Sequence, residues 1–174
     1  MNQTKKIVYT ALFASLCCVA TMLIQIPTPG TSGYIHLGDA FVILSGVILG
    51  KKYGAFAAGL GSAFADIFTG YAYYAPVTFI VKFLVAFFAA CIFSYLKKKH
   101  VSNVVAMIPC GIAGTITVVT GYFIYSYITE GVAAFASIPS NTIQGLSGLV
   151  ISTILLPILS AVPDIKTAKA CMNH

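Results

Sequence analysis

From Ile7 to Ile26 the chain runs for 20 residues without a charged side chain, and further apolar runs follow at about 36–50, 53–69, 76–96, 102–128 and 141–162. A helix needs about 20 apolar residues to cross the roughly 30 Å hydrocarbon core of a bilayer. Six such runs use most of the 174 residues and leave only short connections. Charged side chains make up 8% of the chain, against about 25% in ordinary globular proteins, too few to coat a soluble surface. The pattern predicts an all-α integral membrane protein with six transmembrane helices, forming one domain over residues 1–174. It leaves no room for a fused ATPase, a large ectodomain or a twelve-helix carrier.

Lysine placement gives the orientation. Lys5-Lys6, Lys51-Lys52, Lys97-Lys98-Lys99 and Lys166/Lys169 all flank apolar runs, and with six spans every lysine except Lys82 falls on one side. The positive-inside rule makes that side cytoplasmic, with both termini there. The net charge of +6 is then a topology signal facing anionic lipid, and no nucleic-acid partner is expected. The run 7–26 is too long for a signal-peptide core and lacks a small-residue cleavage site, so it is expected to be the first mature helix. The second helix is short. From Ala40 to Gly50 it would rise only about 16 Å. A re-entrant hairpin is the rival picture, but it would strand Lys51-Lys52 inside the membrane at a cost of a few kcal/mol each. Short second and third helices are therefore expected.

Small residues at four-residue spacing mark close helix packing. They form the pairs Ala11/Ser15 and Ala14/Cys18 on the first helix and the stripe Gly54/Ala58/Ser62/Asp66 on the third. The third-helix stripe ends in a carboxylate that should avoid lipid, so it is assigned to internal packing. On the first helix, internal packing and a partner surface both remain open. The five cysteines, Cys17, Cys18, Cys91, Cys110 and Cys171, contain no CxxC and read as small buried hydrophobes. His36, His100 and His174 do not converge in this topology, and no HExxH, paired carboxylates or phosphate loop occurs. No metal site, cofactor or enzymatic activity is expected.

Polar side chains gather instead at the outer half: His36, Asp39, Asp66, Lys82, Glu130, Asn141 and Gln144, with Tyr71, Tyr73, Tyr74, Tyr122, Tyr125 and Tyr127. An ionisable residue inside a membrane is a functional-site hypothesis, because leaving it uncompensated is costly. Structural readings stand beside the functional ones. Asp66 and Lys82 are placed to form an ion pair joining the third and fourth helices. His36 reads as a cap and Asp39 as a first-turn acid favoured by the helix dipole. The tyrosines read as an interfacial belt, the amides Asn141 and Gln144 as inter-helix bonds, and Glu130 as solvated. A transport pore needs polar groups along its length, whereas here the inner half is almost purely apolar. A pocket open only outward suits a subunit that captures a solute and needs help to release it.

Ile35-His36-Leu37-Gly38-Asp39, Gly50-Lys51-Lys52-Tyr53-Gly54, Asp66-Ile67-Phe68-Thr69-Gly70, Pro76 with Lys82, and Pro139-Ser140-Asn141-Thr142-Ile143-Gln144-Gly145 occur in that order. This ordered set resembles the S component, the substrate-capture subunit, of energy-coupling factor (ECF) transporters of the riboflavin, pyridoxine and hydroxymethylpyrimidine type. The resemblance covers nearly the whole chain. It implies a multi-pass protein of a prokaryotic plasma membrane that binds a vitamin beneath a lid between Pro27 and Gly38. It also implies a transmembrane coupling subunit and two cytoplasmic ATPases as partners, with toppling in the membrane delivering the ligand. It places ligand contacts mostly on the fourth to sixth helices, with Lys82, Asn141 and Gln144 foremost, and the polar cluster adds His36, Asp39, Asp66, Tyr122 and Tyr125 as candidate contacts. Docking on the coupling subunit would use Ala11 and Ser15, serine standing where the family commonly has a second alanine. A mixed polar mouth without Trp favours a small hydroxylated pyridine or pyrimidine, with riboflavin next. The alternative is a self-sufficient secondary carrier or channel, and a membrane enzyme ranks below both.

Overall fold

The computed structural model describes residues 3–23, 25–27 and 34–172. In chain order these form α1 (Gln3–Leu23), β1 (Gln25–Pro27), β2 (Tyr34–His36), α2 (Asp39–Phe68), α3 (Ala75–Lys98) and α4 (Asn103–Glu130). A 3-10 turn (Gly131–Ala136), α5 (Ser137–Ala161) and α6 (Pro163–Met172) follow. The helical expectation holds apart from one antiparallel strand pair, in which Gln25 faces His36. Residues 28–33 of the expected lid lie outside the described residues. Helices α1, α2, α3 and the run Asn103–Ala161 are long and apolar enough to cross a membrane. Large apolar side chains such as Leu12, Phe64, Ile116, Ile154 and Ile158 point outward, as suits a surface solvated by lipid rather than water.

The expected second and third helices form one element with a reversal inside it. Gly50 has φ 79 and ψ −177, a backbone that L side chains avoid. Nine residues of continuous helix would span about 13.5 Å. Instead Ser45 Oγ donates to the Gly54 carbonyl at 3.0 Å, and a Cβ on Gly54 would meet the Ser45 carbonyl oxygen at 2.2 Å. The two arms, 39–49 and 51–68, therefore fold back on each other. Lys51 and Lys52 are exposed at the reversal. Lys6 and Lys52 approach the Tyr53 ring to 5.6 and 6.0 Å, so the reversal shares an end of the bundle with the start of α1.

The first arm is short but almost wholly buried, with Ala40, Val42, Leu44, Ile48 and Leu49 sealed from the surface. Protein surrounds it on all sides, so it has no lipid thickness to match. Backbone-to-backbone packing makes this possible. A Cβ on Gly46 would sit 2.1 Å from the Ala86 carbonyl oxygen of α3, and one on Gly61 2.2 Å from the Ala14 carbonyl oxygen of α1. Gly54, Ala58, Ser62 and Asp66 are all buried, in keeping with internal packing. On α1 the choice is divided by face: Ala14 packs on Gly61, whereas Ala11 and Ser15 are exposed. Helix α6 opens with Pro163 and a first-turn acid, Asp164, both common helix-start signals. It is tied to α1 by a hydrogen bond from Tyr9 Oη to the Asp164 carbonyl at 3.3 Å.

Two glycine substitutions separate packing from backbone strain. Gly46→Val is expected to lower the stability of the detergent-solubilised protein by about 1–3 kcal/mol or more through overpacking. Gly131, at φ 64 and ψ −133 with open space around it, should cost about 1–3 kcal/mol as Ala through backbone strain alone. Thermal melts that rank Gly131→Ala well above Gly46→Val in damage would contradict this packing.

Candidate functional site

Lys82 lies on α3 about two turns below Ala75, fully buried. An uncompensated ammonium there would cost several kcal/mol. Its Nζ donates to Oδ1 of Asp39, the first residue of α2. A carboxylate at a helix N-terminus is further favoured by the helix dipole. The second carboxylate oxygen, Oδ2, accepts from Gln144 Nε2 at 3.1 Å. Gln144 Oε1 in turn accepts from the His36 backbone N–H at 3.2 Å. Side chains of α2, α3 and α5 are thereby joined to the backbone of β2 in one buried chain of bonds. Helix α1 closes in as well, because Gly38 has no room for a Cβ between Thr21 Oγ1 and His36 Nδ1.

His36 is neutral. Its Nδ1 accepts from the Gly38 N–H at 3.0 Å, which places the ring proton on Nε2. Burial first, and the Lys82 ammonium second, hold its pKa far below the ordinary imidazole value, at about 3, against an opposing pull from Asp39.

Tyrosines extend the network further toward the end of the bundle. Lys82 Nζ lies 5.3 Å from the Tyr122 ring centre, and Tyr122 Oη bonds Thr78 Oγ1 at 3.1 Å. The Tyr74 ring centre is 4.7 Å from that of Tyr73, 5.0 Å from Tyr125 and 6.4 Å from Tyr122. Tyr125 Oη donates to the Tyr73 carbonyl at 3.0 Å, and Tyr74 Oη to Glu130 Oε1 at 3.4 Å.

Of the predicted residues, His36, Asp39, Lys82 and Gln144 meet directly, Tyr122 borders them at Lys82, and Tyr125 lies one step further out against Tyr73 and Tyr74. One expectation is corrected: the ion-pair partner of Lys82 is Asp39, not Asp66. The reversal at Gly50 brings both ends of α2 to the same end of the bundle, and Asp39 has the helix N-terminus and the Gln144 amide beside it. Asp66 is buried near the C-terminus of α2. Asn141, one turn before Gln144, is half-buried. Glu130, expected to be solvated, is half-buried and bonded to Tyr74. Thr78 and Ser126 were missed; both are buried. Thr78 precedes Lys82 by one helical turn, and that spacing was a usable signal. Among the described residues no His, Cys, Asp and Glu group is placed to hold a metal.

Residues 1–161 match the family described as ECF-type riboflavin transporter, S component. The chain belongs to this S-component family. A Pyrococcus woesei relative, described as an uncharacterized protein in gap 3'region, is 33% identical over 138 residues, covering 76% of this chain and 86% of the relative. The crystal structure of the S component for biotin from an ECF-type ABC transporter superposes with a TM-score of 0.75 at 19% identity, covering 97% of this S component and 99% of that chain. The S component of a bacterial ECF transporter gives 0.66 at 19% identity, with 92% and 98% covered. At such identities the likeness is one of fold. ECF S components are membrane-embedded subunits that bind vitamin-type substrates, whereas ATP hydrolysis belongs to their partner subunits. This chain is accordingly a transport subunit, not an enzyme.

Two measurements check this site. Lys82→Met should cost about 3–5 kcal/mol by leaving Asp39 buried and uncompensated, and Asp39→Leu/Lys82→Met should recover much of that loss. Additive losses would break the proposed pairing. The second concerns pH. A folded-state value of about 3 for His36 against about 6.5 unfolded means its contribution is complete above pH 6.5 and is lost as pH falls from 6.5 toward 3. The loss should reach about 2 kcal/mol at pH 5. His36→Asn should flatten that part of the melting profile, and an unchanged slope would contradict a neutral buried imidazole.

Proposed function

We propose that this S component captures a small hydroxylated heteroaromatic vitamin or precursor from outside a prokaryotic cell. A pyridine or pyrimidine ring is favoured ahead of flavin. As one transmembrane domain it crosses the plasma membrane six times, with α2 contributing two spans through its reversal at Gly50 and both termini in the cytoplasm. The observation that carries this reading is the confinement of the polar network Asp39–Lys82–Gln144–His36 and its tyrosines to one end. The other end presents lysines and an apolar interior, which supports a pocket entered from one side. Tyr122, Tyr125 and their neighbours supply the flat surfaces on which a ring stacks, in a chain without Trp. Asp66 and Asn141 complete the proposed ligand-contact set with His36, Asp39, Lys82, Gln144 and the two tyrosines.

Release needs a partner. Ala11, Ser15 and Val19 on α1 and Leu60, Phe64 and Phe68 on α2 line an open, almost wholly apolar groove of about 480 Å³. A groove floored by small residues on a lipid-facing surface suits a partner helix. We assign it to the transmembrane coupling subunit, which in turn bears the two ATPases.

Thermal stabilisation of the purified chain against B vitamins and their precursors tests capture. A ligand at 1,000 times its Kd should add about 4 kcal/mol. The gain should vanish in Gln144→Ala and persist in Ala11→Leu/Ser15→Leu, which should instead abolish assembly with the coupling subunit. Ion-driven uptake into vesicles holding this chain alone would replace the proposal with a secondary carrier.

A further inference from the structure

The charge balance at the tyrosine-rich end narrows the ligand, and the argument rests on the capture reading above. The carboxylates at this end are Asp39, Asp66 and Glu130, against Lys82 as the one lysine. The segment 24–33 and the connections 69–74 and 131–140 add no charged side chain. His36 is neutral, and Lys82 is already committed to Asp39. A negatively charged ligand would therefore meet no available cation and a formal excess of two carboxylates.

Helix ends deepen this bias. Glu130 closes α4 and Asp66 lies near the close of α2, and neither helix has a basic residue in its last turn. A helix C-terminus carries about half a negative charge of its own, so acids there are disfavoured unless a cation compensates them. Glu130 is incompletely satisfied. Oε1 takes the Tyr74 hydroxyl at 3.4 Å, whereas Oε2 is buried with no hydrogen-bond partner among the described residues. The Tyr74 that donates to it stands between the rings of Tyr73 and Tyr125, whose centres lie 4.7 and 5.0 Å from its own. Aromatic faces backed by a carboxylate attract cations, because the ring quadrupole and the carboxylate act in the same sense.

We propose that this mouth selects a positively charged aromatic ligand and holds its cationic nitrogen between Glu130 and the Tyr73–Tyr74–Tyr125 rings. Neutral analogues of the same ring bind more weakly, and anionic ones are excluded.

Titration calorimetry on the full chain in detergent tests this with thiamine and pyridoxamine as cations, pyridoxine and riboflavin as neutral compounds, and biotin and 4-pyridoxic acid as anions. The tightest binder should be a cation. Glu130→Gln keeps an acceptor for Tyr74 and removes the charge. It should weaken the cation by tenfold or more, leave any neutral binder within about twofold, and leave the ligand-free melting temperature equal or higher. A lower ligand-free melting temperature with unchanged cation affinity would make Glu130 structural and overturn the assignment. A neutral or anionic compound binding tightest would overturn the charge inference and keep the capture function. If compounds of all three charges fail to bind, the capture reading itself falls and takes this inference with it.

Discussion

The buried pairing of Lys82 with Asp39 is the interaction on which the rest of the structure depends. An ammonium sealed inside an apolar bundle is tolerable only with a charge partner and further hydrogen bonds in fixed places. Asp39 meets that need from the N-terminus of α2, Gln144 holds its second oxygen, and the His36 backbone holds Gln144. The start of α2 is thereby fixed against α3 and α5, and β2 against α5. The arm 39–49 then has to run through the middle of the molecule, and the backbone contact of Gly46 with Ala86 gives it space. The requirement to compensate one charge thus determines which helix is central and which end of the bundle is polar.

That arrangement also bears on the proposed role of a subunit that captures a ligand and relies on partners to release it. The network is closed on itself, with Lys82 and Asp39 cancelling one another, so these side chains are held in place by one another without a ligand. Below it the core is apolar: Ile43, Leu44, Val47, Ile48, Val85 and Met107 fill the space between the helices. A polar solute would find few partners along that route, which is in keeping with the proposal that release needs other subunits. The α1–α2 groove proposed for contact with the coupling subunit is lined almost wholly by apolar atoms.

Much of this was legible in the sequence for physical reasons. Apolar run length and lysine placement fixed the helical class and separated a polar end from a basic one. Asp39 was recognisable as a first-turn acid, and the stripe Gly54/Ala58/Ser62 as packing. Three features were not readable. The partner of Lys82 depended on the reversal at Gly50, which puts Asp39 and Asp66 at the same end, and spacing along the chain cannot choose between them. The His36–Gln144 contact runs from a side chain to a backbone amide 108 residues away, and such bonds leave no pattern in residue types. The short arm 39–49 looked too short to span because span length assumes lipid contact, and its neighbours remove that contact.

Hydrogen–deuterium exchange of the chain in lipid nanodiscs, with and without a saturating ligand, tests most directly whether capture occurs at this polar end. Protection should rise at residues 34–38, 71–75 and 126–136, while the lysine-rich end and the exposed face of α1 stay unchanged. Protection gained along α1 or around Lys51 and Lys52, with the tyrosine-rich end unaffected, would contradict it.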